Sequence, residues 1–552
     1  MSSLDRGAAS PQTARHTVMP NRSAGASGGG ALDRWPWWGL CTALAMVMVA
    51  SALAIGFRTP YWSHADQDLV LAYHGLLFSE GLPQEYFDHP GYTYFLVIEV
   101  WYRLLHALGL MPVITLSGLP PAADTAAYNA AWQNLVEAGR ALSILVTTGF
   151  ALIYANLVRA LVGDRRVAFL AAVVMAFGIG LSTQARQMRT DLLSASFVVT
   201  ALLLVLVAIR TAPGWRPLLL LGLAGLLAGL AVVTKIQAIF LALGIPVIAL
   251  AFGRRFAGQD GSRWIAAGIL GLAAGAAALP AAALIQHGIA SAGQSLYPYR
   301  PVGGGLSGVY QGIVVGWVVL GMAVYAAVWR VRLSYAVAAM AAVALGLALG
   351  VLALTIRPHE QNVIAVANLI EHMFVFTTWK HQAALQGQEQ VLSDGLVTLL
   401  AKGLWRTLAI RTIVLHPDNI PQTIVVEWFI IGGCIVLWRR GERVAAAQAA
   451  LLLLVAWGLE TLFSLRGFQR AYAAYTDPLM GLAAAWVLLR LPGLLERART
   501  RRWIVGMVAL VVVVAQVWPA IEAIRLPNPA GQCGWIPTYM KRVEPFPFCR
   551  PG

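Results

Sequence analysis

WWGLCTALAMVMVASALAIGFRTPYWSHADQD, residues 37–68, decides the fold. From Trp37 to Phe57 it carries no charged side chain, and that length matches the ~20 apolar residues an α-helix needs to cross a bilayer. The stretch then breaks at Arg58-Thr59-Pro60 and ends on two acids, Asp66 and Asp68. Carboxylates at a membrane surface are costly to leave undirected and well suited to taking a proton or holding a metal. About twenty residues on, Phe87-Asp88-His89-Pro90-Gly91 sets another acid beside an imidazole.

Outward from this stretch the apolar runs recur as far as Ile521, in a chain of 552 residues that is 59% hydrophobic and only 12% charged. A soluble core of that size would lack the polar surface to cover it, so the reading is an all-α polytopic membrane protein. The net charge of +15 could suggest nucleic acid. The basic residues, however, sit in short clusters between apolar runs, as topology signals do, and no nucleic-acid partner is expected. Residues 1–34, rich in Ser, Gly, Ala and Arg, read as a disordered cytoplasmic tail. The first span lacks a small-residue cleavage signature and reads as an anchor.

With that tail inside, span one places the Asp66 loop outside. The stretch from Tyr92 to Leu110 carries Glu99, Arg103 and His106 between Pro90 and Pro112. If it crossed, most later basic clusters would be inverted, so it reads as an interfacial helix. Further spans are expected at 138–158, 167–185, 192–209, 217–233, 236–252, 264–285, 311–329, 335–356, 424–438, 444–464, 471–489 and 503–523, about thirteen in all. Every inside loop is then basic, beginning with Arg159, Arg165 and Arg166 and ending with Arg497, Arg499, Arg501 and Arg502. An odd number of spans leaves residues 525–552 outside. The membrane domain is thus 35–524, with outer loops at 58–136 and 357–422.

The cysteines agree with this orientation. Cys41 and Cys434 lie in apolar runs and read as packing residues. Cys533 and Cys549 lie in a polar tail rich in Pro and Gly, where a disulfide is worth roughly 3 kcal/mol and requires an oxidising compartment.

The outer face collects unusual charge. Asp66 and Asp68 are two residues apart, so on a helix they diverge by about 200° and only one can face a given site; Asp66 could also cap a helix beginning near Leu69. Asp191 follows Arg186 and Arg189 at an outer span end. Arg186, Arg189, Lys235 and Arg470 all sit at outer ends, where positive-inside statistics disfavour them. Together they point to an anionic group such as a phosphate at headgroup level. His359-Glu360 and Glu371-His372 lack tight zinc spacing, and neither a nucleotide loop nor a Gly-x-Ser-x-Gly elbow is present.

The order of these elements resembles the GT-C superfamily of membrane glycosyltransferases, in particular lipid A aminoarabinose transferases and protein mannosyltransferases. The resemblance rests on an acid soon after the first span, then Tyr86-Phe87-Asp88-His89-Pro90-Gly91-Tyr92. It continues through the Arg186-x-x-Arg189-Thr190-Asp191 turn, Gly229 to Lys235, and Arg470-Ala471-Tyr472 with Pro478. It implies a sugar donor carried on a polyprenyl phosphate and used at the outer face of a bacterial plasma membrane. Asp66 or Asp68 is implied as general base or metal ligand, Asp191 as the acid of the second outer loop, and Asp88-His89 as neighbours of the donor. Lys235 is implied as a phosphate contact. A divalent metal, Mg or Mn, is open, with Asp66, Asp68 and Asp191 as its ligands. The chain departs from the family where the usual second proline is Gly91 and the common Asp-Glu pair is Asp66-Gln67-Asp68. Sugar and acceptor (lipid, glycan or protein) are open. The competing readings are a transporter or flippase of lipid-linked glycans, for which few mid-span charges are visible, and a non-catalytic assembly subunit.

Overall fold

The structure, a computed structural model, describes residues 35–64, 67–85, 91–235, 237–253, 332–356, 396–413, 421–464, 470–491, 494, 497–524, 533–534 and 536–549. Asp66, Asp88, His89 and the expected spans 264–285 and 311–329 lie outside them, as does the side chain of Arg470. The described residues are helical, without strands. In chain order the helices are α1 (Trp37–Ala54), α2 (Asp68–Ser79), α3 (Tyr92–Ala107), α4 (Thr125–Val162), α5 (Arg165–Ala176), α6 (Ile179–Gln184), α7 (Thr190–Arg210) and α8 (Trp215–Thr234). They continue as α9 (Ala238–Phe252), α10 (Leu333–Leu352), α11 (Leu396–Thr412), α12 (Pro421–Arg439), α13 (Arg443–Ser464), α14 (Ala473–Arg490), α15 (Ala498–Ile524) and α16 (Ile536–Tyr539). Seven described helices are long and apolar enough to cross a membrane: α1, α4, α7, α8, α10, α13 and α15.

Several expected boundaries shift for visible reasons. The span expected at 138–158 belongs to a 38-residue helix capped by Asp124, whose side chain accepts from Ala127 N–H at 3.1 Å. At 1.5 Å per residue α4 is about 57 Å long, far more than the ~30 Å of hydrocarbon, so its first turns rise beyond the bilayer. The span expected at 167–185 is broken into α5 and α6 at Phe177-Gly178. There the backbone of Ala473-Ala474 presses on Gly180, where a Cβ would collide with it. Inside the expected outer loop 357–422, α11 forms and packs on α12 and α13. Glycines also decide the α8–α10 contact, since a Cβ on Gly350 would lie 2.6 Å from the Leu226 carbonyl oxygen.

Contacts sort the helix ends into two groups. At one end Trp37 donates to Asn156 at 2.9 Å and Arg159 lies over the Trp37 ring. At the other, α2, α3, the first turns of α4 and the C-terminal tail build an aromatic second core around Tyr61, Tyr102, Tyr128 and Trp132. The expected Cys533–Cys549 disulfide is formed. It closes a tail that inserts Phe546 against Tyr61, Tyr128 and Trp132. Arg542 from the same tail donates to Glu85 at 2.7 Å. α3 buries Tyr92, Phe95, Ile98 and Tyr102 and exposes Val100 and Leu104, an amphipathic division suited to the interfacial position expected of it.

His74 stitches this second core. Its Nδ1 bonds the Val70 carbonyl at 2.7 Å, its Nε2 accepts from Glu85 N–H at 3.2 Å, and its ring stacks on Phe95. Complete burial pushes its pKa down to about 4, below the ~6.5 of an unfolded histidine. Between those values the unfolded chain binds a proton that the folded one refuses, so stability is lost as pH falls from 6.5 toward 4. The loss is about 3 kcal/mol at its full extent. The melting temperature in detergent should therefore drop more steeply across that range for wild type than for His74→Gln.

Candidate active site at the loop-bearing end of the bundle

Four charged groupings lie at the end of the bundle that carries the second core or in the helices leading to it. The first is a fully buried ion pair in which Arg140 of α4 donates to Asp68 Oδ2 from Nε at 2.9 Å and from Nη2 at 2.7 Å. Asp68 Oδ1 accepts from Met188 N–H at 2.7 Å. The remaining donors of Arg140 serve the chain leaving α1, including the carbonyls of Phe57 at 3.0 Å and Thr59 at 2.6 Å. Of the two acids left open by the sequence, Asp68 is therefore committed on both oxygens to holding the loop.

The second grouping centres on Asp191, in the first turn of α7. Its Oδ2 accepts from Lys235 Nζ at 2.9 Å and from Arg189 Nε at 3.3 Å. Asp191 and Lys235 are fully buried and Arg189 is nearly so. Lys235 Nζ also lies 5.8 Å from the ring of Tyr472. Two cations, Lys235 and Arg189, face Asp191 here close to the N-terminus of α7, and such a cationic helix start is a favourable place for an anion.

The third grouping is Arg186. It ties the α1 exit to the last span through Ile55 O at 3.0 Å, Ser51 Oγ at 2.7 Å and Gln516 Oε1 at 2.9 Å, and it also donates to Ser182 O. Its guanidinium is turned toward these protein oxygens, so it braces helices where the sequence suggested a phosphate ligand.

The fourth was not anticipated. Arg411 donates to Glu460, lies 3.7 Å from Asp477 and 3.9 Å from Glu427, and all four are buried. The sequence showed few mid-span charges, yet α11, α12, α13 and α14 bring these together. The detectable signal was an Arg and three acids, each isolated in an apolar run, which are costly unless paired.

Backbone contacts knit the expected elements. Met188 N–H on Asp68 joins the first loop to the 186–191 turn. Gly91 N–H donates to Thr234 O at 2.8 Å, so the residue following Asp88-His89-Pro90 abuts the residue before Lys235. Gly91 has φ +63° and a Cβ there would collide with the Phe95 ring. Proline supplies neither that angle nor the N–H, which is why glycine stands here where the resemblance leads one to expect proline. Gly91→Pro is expected to cost about 2–4 kcal/mol, read as a lower melting temperature in detergent.

Of the three expected metal ligands, Asp66 lies outside the described residues, and Asp68 and Asp191 each face cations that would compete with a metal; among the described residues no group of three or more His, Cys, Asp or Glu side chains is suited to one.

Residues 133–280, about a quarter of the chain, match the family model described as Dolichyl-phosphate-mannose-protein mannosyltransferase. The matched segment contains Arg140, Asp191 and Lys235 and agrees with the resemblance read from the sequence. No curated protein matches the chain. Among solved structures it is similar to the Archaeoglobus fulgidus oligosaccharyltransferase in its apo form, at 12% identity and a TM-score of 0.44, over 95% of this chain and 62% of that one. It is also similar to ArnT from Cupriavidus metallidurans bound to undecaprenyl phosphate, at 13% identity and a TM-score of 0.26, over 83% of this chain and 79% of that one. The chain spans less than two thirds of the archaeal enzyme's length.

Proposed function

We propose that this GT-C-like multi-pass membrane protein transfers a sugar from a polyprenyl-phosphate donor to an acceptor at the extracytoplasmic face of a bacterial plasma membrane. The observation that carries the proposal is the buried Asp191–Lys235–Arg189 cluster, held at the end of the bundle where the first loop docks. A prenyl-linked donor stays in the bilayer with its phosphate at the headgroup plane, where the Lys235 ammonium and Arg189 guanidinium are the groups chemically suited to it.

In the reaction the acceptor oxygen or nitrogen bonds to the anomeric carbon as the bond from that carbon to the phosphate oxygen breaks. The acceptor's proton passes to a carboxylate, a contribution of about 10²–10⁴ in rate. The polyprenyl phosphate leaves with its new charge opposite Lys235 and Arg189. One displacement of this kind inverts the anomeric configuration. Because Asp68 is consumed by Arg140 and Met188, the base is assigned to Asp66. Sugar transfer is tested by reconstituting the protein in vesicles with a radiolabelled prenyl-phosphate sugar and following label into a covalent product.

The Arg411 grouping is the observation that favours the transporter reading, since charges inside a membrane often line a translocation path. Its ions, however, are paired with one another and with Thr476, Trp457 and the Gly180 N–H, as a brace would be. Movement of labelled lipid between leaflets with its glycosidic bond intact would select the transporter.

A further inference from the structure

Two buried polar atoms near Lys235 have no hydrogen-bond partner among the described residues: Asp191 Oδ1 and the hydroxyl of Tyr475. Tyr475 is fully buried in the first turn of α14. Its hydroxyl stands against Ser194 and in the field of Asp191 and Arg189. Ser194 lies three residues beyond Asp191, on the same face of α7, so Tyr475 meets α7 on the face that carries the Asp191 carboxylate. Each such atom costs about 1–3 kcal/mol when left unpaired, and native structures rarely carry two together without reason.

The chemistry of the missing group follows from its two neighbours. It must donate to the carboxylate, which an ionised phosphate oxygen cannot do, and a hydroxyl can at the same time accept from the phenol. We propose that Tyr475 and Asp191 together hold one hydroxyl of the substrate, Tyr475 donating to its oxygen and Asp191 Oδ1 accepting its hydrogen. This deepens the glycosyltransferase reading and rests on it.

The Arg411 grouping acquires a role by the same geometry. Thr476 donates to Glu460 at 2.6 Å, and Asp477 accepts from Gly180 N–H at 3.1 Å while facing Arg411. These contacts fix the turn on which Tyr475 rides, with Tyr472 against Lys235 just before it. Arg411, Glu460, Thr476 and Asp477 are positioning residues for Tyr475.

Tyr475→Phe tests the proposal, because it deletes one oxygen that has no partner among the described residues. The melting temperature in detergent should stay unchanged or rise, since an unsatisfied buried group is removed. The KM for one substrate should rise by about 10- to 100-fold, as expected for a lost hydrogen bond in a charged setting. A rise in donor KM assigns the hydroxyl to the sugar, and a rise in acceptor KM assigns it to the acceptor. Wild-type kinetics for both substrates in an active preparation would overturn this inference alone, leaving ordered water as the occupant. A wild-type protein that transfers no sugar would overturn the glycosyltransferase reading and this inference with it.

Discussion

Replacing Asp191 by asparagine is expected to lower sugar transfer by about 10²–10³-fold, through loss of the charge that sets the two cations, and to destabilise the protein at the same time. The side chain keeps its shape but loses its charge, leaving Lys235 and Arg189 without the carboxylate they face at 2.9 and 3.3 Å. An uncompensated buried cation costs about 3–5 kcal/mol, so a simple loss of activity would not separate chemistry from folding. A second substitution does. In Asp191→Asn/Lys235→Met the buried charge is removed with its partner, and the melting temperature should recover most of what the single variant lost. Transfer should not recover, because both the carboxylate and the cation proposed to meet the phosphate are gone. Recovery of transfer along with stability would reduce the pair to a structural ion bridge and remove the site from Asp191.

The membrane spans were legible because a helix in lipid must be apolar along its whole length, and that requirement writes itself into composition. The side of each loop was read from arginine clusters. What sequence could not supply is which polar groups find each other. Asp68 and Asp66 look equivalent in the chain; only the approach of Arg140 from α4, seventy-two residues on, distinguishes them. Arg186 and Arg189 likewise read as a matched pair, yet one is turned to backbone carbonyls and the other to Asp191. Tyr475 carried no signal at all, since a tyrosine in an apolar run is most often core. Its interest comes from an unpaired hydroxyl, a property of packing rather than of pattern. Gly91 shows the converse, in which a departure from a family motif marks a left-handed backbone position that a proline could not occupy.

The two loop acids should separate by opposite signatures. Asp66→Asn is expected to abolish most transfer with little change in melting temperature, because the residue is assigned to taking the acceptor's proton. Asp68→Asn should destabilise strongly, because it leaves Arg140 buried without its counter-charge and weakens the grip on Met188 N–H. Arg140→Met should cost about as much, roughly 3–5 kcal/mol. It removes in one step the partner of Asp68 and the donors that hold Phe57, Thr59 and Pro60 in place. The double variant Asp68→Asn/Arg140→Met should then lose less than the sum of the two singles, since neither side leaves an unpaired ion behind. Additive losses would mean that the pair contributes no coupling and that Arg140 matters only through the loop carbonyls. In that event Asp68 becomes available for chemistry again, and the assignment of the base to Asp66 loses its physical ground.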